Sequence, residues 1–136
     1  MERFRRPATL SGSTPKVVTA HGNFYPTLSV LDDRVVEVFA RLGKAGGCDS
    51  SYLEAIGRLV SLALQYRVPE EEVIGQLRGV TCHPYMIGGA GENLGPVDAL
   101  GRELEGAVAS LAAKRKDAPV EDTSMEGASR EDEPKR

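Results

Sequence analysis

An excess of positive charge is missing from this chain of 136 residues: 17 Lys and Arg stand against 20 Asp and Glu, for a net charge of −3. A nucleic-acid interface shows first as a basic footprint, so nucleic acid is not an expected partner. The basic residues Arg3, Arg5 and Arg6 fall in an N-terminal lead-in, and Lys114, Arg115 and Lys116 run into an acidic tail. Both groups read as solvated surface. Long hydrophobic runs are also missing. No stretch is long and apolar enough to span a bilayer, and the N-terminus has no signal-type apolar segment. A cytoplasmic chain without a membrane partner is expected. Cysteine is scarce, with only Cys48 and Cys82, and both are expected as reduced thiols. A chain of this length reads as one domain. Its ends are poor in apolar residues, so the compact part is placed at Lys16–Lys114, between a flexible lead-in over 1–15 and a disordered charged tail over 115–136. Such a body can bury one core without disulfides, but has no room for a large catalytic barrel.

What is present reads as α+β. Lys16–Ala20 is a short strand, and His21-Gly22-Asn23 is a turn, since Gly and Asn tolerate positive φ. Phe24–Leu31 is a second strand in which Pro26 argues for an edge or a bulge. Asp32-Asp33 then links it to Arg34–Leu42. In that third strand Val36, Val38, Ala40 and Leu42 face one way, and Val35, Glu37, Phe39 and Arg41 the other. The expectation is a small antiparallel three-stranded meander covered by two or three helices. Ser51 and Glu54 have capping-box spacing at the start of the first helix, with Asp49 and Ser50 as alternative caps. Its core stripe is Leu53, Ile56, Val60 and Leu64, widened by Leu59 and Ala63. Gly57 inside it suggests close approach of another backbone. A second helix starts at Pro69, a favoured first position, with Glu70, Glu71 and Glu72 at its positive end; it buries Val73, Ile74 and Leu77 and stops at Gly79. After a loop from Val80 to Pro96, a third helix carries the stripe Val97, Leu100, Leu104, Val108 and Leu111.

Catalytic spacing is lacking: no Ser-His-Asp or Cys-His arrangement selects a nucleophile. The segment Gly43-Lys44-Ala45-Gly46-Gly47 does have the chemistry of an anion site. Its glycines let backbone amides converge, Lys44 adds charge, and a helix N-terminus follows. It is not a Walker A loop, which needs Ser or Thr directly after the lysine, and a tight strand-to-helix connection explains the same glycines. Gly43, Lys44, Gly46, Gly47, Ser50 and Ser51 are the anion or nucleotide candidates. The glycines of 89–95 have the wrong spacing and context for a dinucleotide fingerprint and read as a linker. His21, Cys48, Cys82 and His83 supply four ligand types for zinc but none of the close-paired spacings that specify a zinc site.

Read together, Arg-Pro-Ala-Thr-Leu-Ser-Gly-Ser-Thr (6–14), His-Gly-Asn-Phe-Tyr-Pro-Thr (21–27), Glu-Val-Phe-Ala-Arg-Leu-Gly-Lys-Ala-Gly-Gly-Cys (37–48), Glu-Ala-Ile-Gly-Arg-Leu-Val-Ser-Leu-Ala-Leu (54–64) and Gln-Leu-Arg-Gly-Val-Thr-Cys-His-Pro (76–84) resemble the TSCPD domain family. The resemblance runs in order over roughly residues 6–112, and 37–64 is its most specific part. That domain is known chiefly as the C-terminal part of class II, adenosylcobalamin-dependent ribonucleotide reductases, and also as small stand-alone proteins. Two departures stand out. The family often has cysteine where this chain has His21, and the motif that names it is replaced by Asn-Leu-Gly-Pro-Val-Asp-Ala-Leu (93–100), without cysteine. Of the family's cysteines only Cys82 is kept, with His21 as a substitute, which weakens a metal or redox reading for this member.

The resemblance implies a link to deoxyribonucleotide synthesis rather than independent ribonucleotide reduction. The radical chemistry and the adenosylcobalamin belong to the related full-length enzymes, so no cofactor is expected on this chain. The expected role is an accessory or regulatory module that binds a nucleotide, another anion or a reductase large subunit through the 43–51 turn. Two alternatives remain: a non-enzymatic interaction module that forms a homodimer or binds a partner through an exposed helix face, and a degenerate zinc module.

Overall fold

A computed structural model describes residues 1–43, 47–87 and 92–117. Its strands are β1 (Ser11–Ser13), β2 (Val17–Thr19), β3 (Gly22–Phe24), β4 (Thr27–Leu31) and β5 (Arg34–Phe39), followed by helices α1 (Gly47–Gln65), α2 (Glu70–Leu77) and α3 (Pro96–Lys116). All strand pairs are antiparallel, in a three-stranded sheet ordered β1-β4-β5 and a two-stranded sheet β2-β3. The α+β expectation holds.

The composition of the three-stranded sheet differs from the expected meander. Val17–Thr19 turns back at once on Gly22–Phe24 instead of pairing with the long central strand. Thr19 Oγ1 drives this: it donates to the Gly22 carbonyl at 2.7 Å and accepts from the His21 N–H at 3.0 Å, with Gly22 at φ 111°. Pro26, which has no N–H for a ladder, separates β3 from β4. The third strand comes from the lead-in: Ser11–Ser13 pairs with Val30–Leu28. Its side chains are exposed, so no apolar pattern announces it.

β4 and β5 are joined by Asp32 and Asp33 at φ 53° and 59°, the doubly left-handed turn whose twist suits a two-residue hairpin. The ladder then slips. Val30 faces Val35, while Ser29 faces Glu37, leaving Val36 as the extra residue of a bulge. A bulge re-phases the two-residue alternation. Val35 therefore joins Val38 and Ala40 in the core, and β5 is buried from Val35 to Val38 on both sides.

α1 starts at Gly47, four residues before the expected capping box. Ser51 is inside the helix, where its hydroxyl donates to the Cys48 carbonyl at 2.9 Å, and Glu54 pairs with Arg58 at 2.6 Å. Leu53, Val60 and Leu64 are buried as expected, but Leu59 is 65% exposed. The inner face is completed instead by Gly57, Ser61 and Gln65, spaced at i, i+4 and i+8. These three lie on the outer edge of β5. A Cβ at Gly57 would sit 3.2 Å from the Val38 carbonyl oxygen, which is the close backbone approach its position suggested. Ser61 Oγ accepts from the Val38 N–H at 2.8 Å and donates to the Val38 carbonyl at 3.0 Å; Gln65 Nε2 donates to the Val36 carbonyl at 3.1 Å. An edge strand left open invites a further strand, and α1 closes this one with side chains.

The other two helices follow the sequence closely. α2 buries Val73, Ile74 and Leu77, and α3 begins at Pro96 and buries Leu100 and Leu104. Phe24, Leu28, Val35 and Val38 from the strands meet Leu64, Leu77, Leu100 and Leu104 from the helices in one core cluster. Asp98, fully buried near the start of α3, accepts from the Gly79 N–H at 2.8 Å, the Leu94 N–H at 3.0 Å and Arg102 Nε at 2.7 Å. It ties together the two ends of the segment between α2 and α3. No helix among the described residues is long and apolar enough to cross a membrane.

Candidate functional site

A groove of about 1000 Å³ runs between β5 and α1. Because α1 runs back along β5, the groove opens at one end onto Gly43 and Ser50 and at the other onto Arg3, Glu37 and Gln65. Phe39, Leu59 and Leu62 form its apolar middle, and Arg41 and Arg58 stand beside it. Residues 3–6 are drawn to the far end. The Phe4 N–H donates to the Gln65 carbonyl at 2.8 Å, Arg3 Nε donates to Gln65 Oε1 at 2.8 Å, and Arg6 pairs with Glu37 at 2.9 Å.

The anion candidates divide. Gly43 lies at the mouth of the groove, but its N–H already donates to the Asn23 carbonyl at 2.7 Å. Gly47 is exposed at φ 87°, with open space where a side chain would be. Ser50 lines the groove, and Ser51 is exposed with its hydroxyl turned to the helix backbone. Lys44 and Gly46 lie outside the described residues. Gly43 and Ser50 are thus brought to the groove, and the Gly43 N–H is committed to the fold.

Of the four metal candidates, the structure brings two together. His21 and Cys82 line one small cavity of about 160 Å³, beside Asp49, Leu53 and Ile56. His21 Nε2 is buried there without a hydrogen-bond partner among the described residues. Cys48 is exposed and is not part of this cavity, and His83 packs edge-on against Tyr85 at 5.7 Å. Among the described residues no three of His, Cys, Asp and Glu gather in a group that could hold a metal. Gly95 packs against Cys82: a Cβ there would lie 2.7 Å from that of Cys82, and φ is 140°, so the backbone disfavours any side chain.

Two arrangements were not read from the sequence. The Gly57–Ser61–Gln65 stripe was hidden because Leu59 and Ala63 offered a wider apolar face, although the i+4 spacing of one small and two polar residues beside a strand was a usable signal. The Asp98 hub was hidden because an aspartate in a first helical turn already has a sufficient explanation in the helix dipole. Burial works to raise the Asp98 pKa, but the Gly79 and Leu94 N–H groups and Arg102 outweigh it and hold the carboxyl below its ordinary value. Its hydrogen bond in turn raises the pKa of the Arg102 guanidinium.

Neither a curated protein nor a solved structure matches the chain. The sequence profile of the TSCPD domain matches residues 2–108, a span that takes in all five strands, α1, α2 and most of α3. This chain therefore belongs to the TSCPD domain family, which is associated with ribonucleotide reductases.

Proposed function

We propose that this chain serves deoxyribonucleotide synthesis in the cytoplasm as an accessory or regulatory module, binding a nucleotide or similar phosphate-bearing ligand where the 43–51 turn meets the groove. The observation that carries the reading is that Gly43 and, in the first turn of α1, Ser50 lie at one end of a groove that Arg41 also lines. A helix N-terminus and a guanidinium group suit a phosphate. A reductase large subunit is the protein on which such a module acts. The described residues hold no catalytic barrel, so the radical chemistry is not assigned to them. The test is a titration of adenosine triphosphate into isotope-labelled protein. Amide shifts confined to residues 41–51, reduced by Lys44→Ala, support the reading; a titration without shifts there overturns it.

The commitment of the Gly43 N–H to Asn23 favours a second reading, in which the turn is structural and the chain binds proteins only. Reductase binding left unchanged by Lys44→Ala would favour that reading. The shared cavity of His21 and Cys82 keeps a zinc module in view. Protein purified without added zinc and holding well under one equivalent would remove it.

A further inference from the structure

We infer that the small cavity beside His21 is a binding site for a phenol, a single aromatic ring carrying one hydroxyl. The cavity lies where the turn between β2 and β3 meets the first half of α1 and the start of α3. Leu53 and Ile56 of α1 form one wall, Pro96 and Val97 of α3 another, and Leu42 and Val80 complete the apolar lining. Its volume of about 160 Å³ is close to the roughly 150 Å³ at which an apolar cavity takes up benzene.

The walls are held in place without a ligand. Asp98 accepts from the N–H of Gly79, one residue before Val80, and from that of Leu94, two residues before Pro96. The Cys82 N–H donates to the Leu94 carbonyl at 2.7 Å, which fixes the rim between them. Leu53 belongs to the core cluster, and Ile56 and Val97 pack against it. A recess built in advance spares a ligand the cost of ordering it.

One polar atom decides the ligand. His21 Nε2 is enclosed without a hydrogen-bond partner among the described residues, and an unpaired buried group costs free energy. A neutral imidazole carries its proton on either ring nitrogen, so Nε2 donates in one tautomer and accepts in the other. A hydroxyl pairs with both, whereas a carbonyl or an ammonium group pairs with one at most. An aromatic body suits the walls better than an aliphatic chain. It is rigid and loses no rotamer freedom on burial, and the Tyr52 ring at the mouth offers it an aromatic contact.

Other occupants fit less well. A buried water makes about three hydrogen bonds, and among the described residues Nε2 is the one buried side-chain N or O seeking a partner. An anion would face Asp49, with no Lys or Arg in the lining. A metal ion needs more ligands than the described His, Cys, Asp and Glu bring together.

NMR titration of p-cresol into the isotope-labelled full chain, with a zinc chelator present, tests the inference. Saturable shifts are expected at the His21 ring and at Ile56, Val80 and Val97. Toluene, the same molecule without the hydroxyl, should bind about fivefold more weakly, the loss of one hydrogen bond. His21→Leu should abolish that preference and keep toluene binding, and Val97→Phe should fill the cavity and abolish both, each with an unchanged circular dichroism spectrum. N-acetyltyrosinamide separates two sources of the ring: binding as tight as that of p-cresol assigns it to a tyrosine presented by a peptide, and exclusion assigns it to a free phenol. No saturable shift at these residues, equal affinity for p-cresol and toluene, or a folded Val97→Phe that binds p-cresol as the parent does would each overturn the proposal. p-Cresol carries no phosphate, and His21, Val80 and Val97 lie outside residues 41–51, so this titration and the nucleotide titration fail separately.

Discussion

α1 and α3 solve the same problem with different chemistry. Each turns polar side chains inward to satisfy backbone groups of a neighbouring segment. α1 uses neutral groups, Ser61 and Gln65, against a strand edge. α3 uses a charged one, Asp98, against the N–H groups of Gly79 and Leu94, with Arg102 at 2.7 Å and Arg78 at 3.5 Å as counter-charges. The difference follows from what must be bonded. A strand edge offers donors and acceptors alternately, and a hydroxyl or an amide can serve both. Two loop N–H groups converging on one point offer donors only, and an ionised carboxylate is the acceptor that takes both. The neutral fastening leaves α1 free to carry a second apolar face outward, whereas the charged one fixes loops and helix together.

The sharpest way to break this comparison is to remove the charged member. Asp98→Ala leaves the Gly79 and Leu94 N–H groups without their acceptor and strips Arg102 of its partner, at a cost of about 3 kcal/mol for charge-assisted hydrogen bonds. Urea denaturation followed by circular dichroism should show that loss. A cost under about 1 kcal/mol would mean that water replaces the carboxylate and that Asp98 is not a hub.

How far this arrangement could be read from the sequence depended on whether a residue's role was local. Pro96 opens α3 as its first residue, Pro69 stands one residue before α2 as its cap rather than at its first position, and Asp32-Asp33 makes a two-residue turn from its own backbone conformation, so these were readable to within a residue. Gly57 was readable as a close approach, but not what approached it. β1 was not, because its exposed Ser-Gly-Ser carries no apolar pattern and exists through its partner strand. The bulge at Val36 was not, because a register slip leaves no composition signal, and the strict alternation assigned to β5 therefore put Val35 on the wrong face. Leu59 reads as core in the sequence because apolar spacing cannot distinguish a wide inner face from two opposite ones. At the candidate site, the sequence placed Gly43 and Ser50 at one turn but could not reveal that the Gly43 N–H is committed to Asn23.

Removing the neutral member should cost less and do something different. Ser61→Ala leaves the Val38 N–H and carbonyl buried without their side-chain partner, a penalty of about 2 kcal/mol. It also reopens part of the β5 edge. Greater self-association by light scattering should therefore accompany the loss of stability, since a free strand edge recruits strands. Asp98→Ala exposes no such edge and should not raise scattering under native conditions. If both variants raise it equally, edge closure is not what separates the two helices.

Acid gives the smallest effect and the cleanest separation. The carboxyl of Asp98 is held below the ordinary aspartate value of 3.8 in the folded chain, so folding favours its ionised form. Its contribution is complete above that ordinary value and is lost as the pH falls through the lower, folded value. Ser61 and Gln65 carry no titrating group and contribute equally at every pH. Stability measured from pH 6 down to pH 3 should fall with a steeper acid limb in the parent and in Ser61→Ala than in Asp98→Asn. The amide introduced by that last substitution has nothing to protonate, and its penalty is present throughout, since its NH₂ group faces donors where an oxygen is needed. Parallel acid limbs in all three proteins would show that other carboxylates dominate and that the charged fastening of α3 has no pH signature of its own.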